Sequence, residues 1–230
     1  MALVHSPSIV TSGLVLCLDA ANRKSYPGSG TTWTDLSGNG RTGTLNNMDG
    51  NNFNSANGGS LTFDGTNEFV ACSGSITLTT ATFIAWMRRN GNQNQYDGIL
   101  ISRGTNLSGM LLQNSNNLGY TWNGDLAGGN NTYDWSSGLV VPNLSWSMCA
   151  ISVASSSATA YLYQASGLTT AINNYSHSSS VLDDIKVGQD DFGGRFFSGN
   201  IAQVSIYNRA LTATEIAQNY NALKGRYGLT

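Results

Sequence analysis

The chain has 230 residues, of which only 10% are charged; its net charge of -2 comes without any basic cluster, which removes the electrostatic footprint of a nucleic-acid binder. A 40% hydrophobic content at this length suffices for one large core, and the neutral, Gly-rich remainder, with 27 glycines, suits strands and turns better than helices. The first apolar run, Leu14 to Leu18, is too short for a membrane span or a secretory signal, so the expectation is a product made in a cytoplasm and kept whole from Met1.

In chain order, residues 1–12 read as an extended arm of a single domain covering 1–230. Period-two patterns then predict strands over 13–18, 60–63, 69–73, 81–88, 98–101, 109–113, 119–122, 147–153, 159–164, 184–187 and 200–207. Turn clusters at Ser37, Asn57, Asn90 and Asp191 punctuate them. Between the first two strands, residues 19–57 form a long excursion pinned by Tyr26, Trp33, Leu36 and Leu45, with the Asp35 carboxylate holding the following SGNG turn. Many short strands at close spacing predict an all-β, antiparallel two-sheet sandwich, with its first and last strands paired. In the last strand, Ala202, Val204 and Ile206 share one face, opposite Gln203 and Ser205.

One helix follows, over 212–224. Thr212 and Glu215 make a capping box, Leu211 and Ile216 a hydrophobic staple, and Ile216, Tyr220 and Leu223 one apolar stripe that stops at Gly225. Cys17, Cys72 and Cys149 are odd in number and lie in apolar strand patterns, as buried free thiols do.

The SIYNRALTATEI junction, SLTFDGTNEFV, TATFIAWMRR, the WSMCAISV and ATAYLY pair and IKVGQD resemble, in order, the laminin-G-like members of the concanavalin A-like lectin/glucanase domains. That resemblance implies a jelly-roll sandwich closed by one short helix. Residues 6–45, with Trp33 and Asp35, and the NYNALKGRYG ending are similar to lectin-like virion structural proteins of tailed phages, above all cyanophages. The implied role is a capsid decoration or cement protein residing in the virion, partnered by other virion proteins or by copies of itself. A tail-fibre or adhesin lectin domain is the alternative within that class.

Glycoside cleavage would rest on paired carboxylates. A retaining glycosidase needs two carboxyl groups about 5 to 5.5 Å apart. The chain has two glutamates; Glu215 is committed to the helix cap, and an extended strand would hold Glu68 roughly 13 Å from Asp64. Asp183-Asp184 and Asp190-Asp191 are adjacent pairs at turn edges. Neither His5 nor His177 sits in a nucleophile frame, and no zinc-ligand spacing occurs. The expectation is therefore no enzyme, with a glycoside hydrolase or polysaccharide lyase as the reading from another class.

Sugar recognition asks instead for aromatic faces beside amides and carboxylates. Residues 118–138 have that composition: Tyr120, Trp122, Tyr133 and Trp135 interleave with Asn123, Asp125, Asn130, Asn131 and Asp134. Tyr120 and Trp122 alternate and fit either a core or a site, so the candidate polysaccharide contacts are Asn130, Asn131, Tyr133, Asp134 and Trp135. The oxygen-rich turns carrying Asp97, Asp190 and Asp191 are the candidate positions for calcium.

Overall fold

The computed structural model describes residues 8–123 and 132–229. Two large antiparallel sheets face each other. The first runs, edge to edge, β15 (Gly167–Asn173), β14 (Ala158–Gln164), β13 (Ser147–Val153), β8 (Ala81–Arg89), β20 (Ser198–Tyr207), β5 (Ser60–Asp64) and β4 (Phe53–Asn54). β1 (Leu14–Asp19) pairs with the second half of β20, so the first strand does meet the last. The second sheet runs β12 (Trp135–Val140), β11 (Asn117–Thr121), β10 (Leu107–Gln113), β9 (Asp97–Arg103), β17 (Ile185–Val187), β6 (Phe69–Cys72), β3 (Gly43–Asn46) and β2 (Thr32–Trp33). Two small ribbons, β7 (Ile76–Leu78) with β16 (Ser180–Leu182) and β18 (Gln189–Asp190) with β19 (Arg195–Phe196), are the remaining strands among the described residues.

Strand β8 shows why the first sheet is apolar on both faces. Ala81, Phe83, Ala85 and Met87 enter the core between the sheets, whereas Ile84 and Trp86 enter a second core outside it. That outer core is the seat of the helix α1 (Ala213–Leu223), which buries Ile216, Tyr220 and Leu223. Thr212 caps it through the Glu215 N–H, Glu215 returns to the Thr212 N–H at 2.9 Å, and Arg209 grips the same carboxylate at 2.6 Å. Trp86 lies against two rings from this region, Tyr220 at 5.7 Å and Tyr227 at 4.4 Å. Ser8 and Val10, in the described part of the arm, are held by Gln218, Asn219 and Tyr207.

The α-helix runs from its Thr212 cap to its Lys224 cap, as read, and a 3₁₀ turn over Lys224–Tyr227 follows before Gly228 takes the left-handed turn at φ 67°. Two local expectations are corrected. A register break between Ile201 and Gln203 turns Ala202 into the outer core while Val204 and Ile206 stay in the inner one. Gln203 and Ser205, expected on a polar face, are buried there as well. The excursion over 19–57 contributes β2, β3 and β4 to the sheet edges, with Tyr26, Trp33 and Leu45 buried and Leu36 only half-buried. Asp35 holds its turn as read, accepting from Ser37 N at 2.9 Å and Arg41 N at 3.0 Å, and it also accepts from Cys17 N. All three cysteines are free and buried, and burial pushes the thiols of Cys72 and Cys149 up to about 12.

Candidate functional site

Tyr120 and Trp122 belong to the inner core, both essentially inaccessible. The Tyr120 hydroxyl accepts from Asn173 at 2.9 Å and meets His177 Nε2 at 2.7 Å, and burial holds His177 below the ordinary imidazole range. His177 is thus a neutral partner in a buried polar network. His5 lies outside the described residues, as do Asp125, Asn130 and Asn131.

Tyr133, Asp134 and Trp135 are half-buried, and the chain separates them. Asp134 has φ 51°, a left-handed turn, after which Trp135 packs on Tyr120 at 5.5 Å and on the inner core. Tyr133 goes the other way, onto the outer face of the second sheet, where it covers Ile101, Leu107 and Leu111 together with Tyr96. Tyr133 there lines a recess of about 260 Å³ with Arg103, Thr105, Asn106, Leu107 and Asn123. This is the hairpin turn between β9 and β10. Gly104 at its tip has no room for a Cβ, which would fall 2.0 Å from the Asp183 carboxylate, and that carboxylate holds the turn through Thr105 N at 2.8 Å and Thr105 Oγ1 at 2.6 Å.

Beside the recess lies a charged cluster. Asp190, 1% exposed, accepts Arg103 Nε and Nη2 as well as Arg195 Nη1 at 2.9 Å. The Arg195 guanidinium lies over the Tyr96 ring at 4.4 Å and the Phe192 ring at 4.8 Å. Asp191 pairs with Lys186. Asp97 is buried with only one oxygen engaged, accepting Asn94 N at 2.7 Å; burial pushes its carboxyl up to about 7. Of the three positions nominated for calcium, Asp190 and Asp191 are engaged by protein cations, and Asp97 has one oxygen without a partner. No group of three or more metal-binding side chains occurs among the described residues.

The carboxylates tested for hydrolysis stand differently from the extended-strand reading. Residues 64–68 fold back, so Glu68 accepts Asp64 N at 2.7 Å and Asn52 Nδ2 at 2.7 Å, while Asp64 caps Thr66 N. Both line a shallow polar depression with Asp49 and Asn51. Their oxygens serve the turns that carry them.

Sequence reasoning missed two sets of residues. Arg103, Thr105 and Asn106 reach Tyr133 only through the sheet, across a gap in sequence that no local pattern reveals. A second recess, about 370 Å³, gathers Asn54, Asn57, Arg88, Trp146 and Asn200 on the outer face of the first sheet. Trp146 donates to Asn57 Oδ1 at 3.2 Å, and Arg88 donates from Nε to Leu144 O. The signal available was a tryptophan just ahead of a strongly apolar strand.

A family model described as "Laminin_G_3: Concanavalin A-like lectin/glucanases superfamily" matches residues 63–217, more than half of the chain. Among solved structures, domain 4 of AbnA, a GH43 extracellular arabinanase from Geobacillus stearothermophilus determined with arabinotriose, is similar with a TM-score of 0.64 at 15% identity, covering 92% of this chain and 98% of that one. Trypanosoma rangeli sialidase with the inhibitor DANA gives 0.62 at 13%, over 99% of this chain and 36% of the sialidase. The botulinum neurotoxin serotype D binding domain gives 0.61 at 14%, over 94% and 52%. At these identities the likeness is one of fold. A search of curated proteins gives no match.

Proposed function

Since the chain belongs to the concanavalin A-like lectin/glucanases superfamily, we propose that it is a non-enzymatic recognition module that binds polysaccharide at the Tyr133 recess. The observation that carries this reading is the recess itself: one aromatic ring beside a guanidinium, a hydroxyl and two amides, the groups that stack on a sugar ring and bond its hydroxyls. The arabinotriose complex of a domain that matches along nearly its whole length supports it. The commitment of Glu68, Asp64 and Glu215 to backbone turns and caps supports binding without cleavage.

The finer reading is a virion structural protein of a tailed phage, displayed as a capsid decoration that touches host-surface glycans. It rests on the resemblance of residues 6–45 and of the NYNALKGRYG ending. Mass spectrometry of purified particles, with imaging of labelled chain, tests it: presence on the capsid is expected, presence on a fibre selects the tail reading, and absence removes both. A glycan-array screen paired with an activity screen on algal and bacterial polysaccharides tests the recognition module. Retention without release of shorter sugars is expected, and product formation would revive the hydrolase or lyase reading.

A further inference from the structure

Natural sheets guard their outer strands with lysine, proline, a bulge or brevity, because an open row of N–H and C=O groups templates pairing. Four edges among the described residues are guarded; one of them, β1, is covered on its free side, where Cys17 N donates to the Asp35 carboxylate and Leu36 N donates to Cys17 O. β4 and β2 are two residues long, and β12 carries Gly138 at φ 73° and a register break against β11. The fifth, β15, has none of these devices among the described residues: it pairs in unbroken register with β14 along Gly167–Asn173, and Leu168, Thr170 and Ile172 stand in solvent. From Asp134 to Asp183 the sequence contains no Asp, Glu, Lys or Arg, so this flank carries no charge to repel a neighbour.

The exposed side chains of β15 are self-complementary. Leu168 and Ile172 are 46% and 60% exposed, and Thr170 stands midway between them. All three project from one face, the face on which Tyr163 and Tyr161 of β14 stand opposite Leu168 and Thr170. We propose that β15 binds a second copy of this chain, antiparallel and edge to edge, about a two-fold axis passing through Thr170. In that register Leu168 of each copy lies directly opposite Ile172 of the other, so four exposed aliphatic side chains are covered as two cross-strand pairs and the first sheet continues from copy to copy. The contact uses the same patch of both copies, and such a two-fold contact closes at two.

Light scattering and sedimentation across a dilution series, read with non-reducing electrophoresis, test this. The wild type is expected to be a dimer. Thr170→Lys sets two ammonium groups opposite each other on the axis and is expected to weaken dimerisation about tenfold or more with an unchanged melting temperature at low concentration. Thr170→Cys places two thiols across the axis and is expected to cross-link under mild oxidation, the native thiols being buried. Phe192→Lys, an exposed apolar site on the β18–β19 ribbon, is expected to leave the dimer intact. A monomeric wild type overturns the proposal, as does a dimer that Thr170→Lys leaves unchanged and Thr170→Cys fails to cross-link, or one that only Phe192→Lys dissolves.

Discussion

Glu68 accepts the backbone N–H of Asp64 at 2.7 Å, so the pair that most resembles a hydrolase dyad in sequence is a turn closure in space. Glu68→Gln is expected to leave polysaccharide turnover at background. It is also expected to cost about 1 kcal/mol or more of stability, because the amide keeps one acceptor oxygen and sets its NH2 against the other of the two donors, Asp64 N and Asn52 Nδ2. Denaturant titration beside a reducing-sugar assay measures both. A variant that loses a turnover the wild type possesses would contradict the assignment.

Asp97 makes stability depend on pH. The folded chain keeps the Asp97 proton up to about 7, because burial disfavours the ionised form, whereas an unfolded chain releases it near 3.8. Between those values the folded state binds more protons, so this group's contribution falls as pH rises from about 4 to about 7 and stays low above that. Asp97→Asn retains an acceptor for Asn94 N and cannot ionise. Thermal melts at pH 5 and pH 8 are expected to show a smaller drop for the variant than for the wild type; equal drops would place the titration elsewhere.

In the Arg103–Asp190–Arg195 cluster two guanidinium groups share one buried carboxylate. Asp190→Ala leaves two partly buried guanidinium groups without their carboxylate and is expected to cost about 3 kcal/mol by urea titration. Chelator is expected to leave the wild-type melting temperature unchanged. A fall that calcium restores would show that these turns hold an ion.

Helix docking rests on Trp86. Trp86→Ala opens the outer core against Tyr220 and Tyr227 and is expected to cost about 4 kcal/mol, lowering the melting temperature by roughly 10 °C. Thr212→Ala removes only the cap and is expected to cost about 1 kcal/mol. Hydrogen exchange that shows α1 equally protected in the Trp86 variant would contradict this account of the helix.

The features legible in sequence are those set by near neighbours. The Thr212–Glu215 box needs three residues of context, the β8 pattern needs nine, and Asp35 reaches its turn within six. Strands β12 and β15 escaped because one is half-exposed and the other almost wholly so, and neither shows a clear apolar alternation. The Ala202 face was misjudged because a bulge shifts the period where the sequence continues it. Tyr133 and Trp135 read as one cluster, yet the left-handed Asp134 between them sends one ring to the surface recess and the other to the core. Arg103 and Thr105 join Tyr133 only through sheet pairing, which composition does not encode.

In the proposed function, Tyr133 forms one wall of a sugar-binding recess. Its most direct test is an equilibrium titration of the array's strongest polysaccharide against wild type, Tyr133→Ala and Trp135→Phe. Tyr133→Ala is expected to weaken binding about tenfold or more, the worth of one stacking ring, while Trp135→Phe binds as wild type does. Equal affinity of the Tyr133 variant and the wild type would contradict the claim.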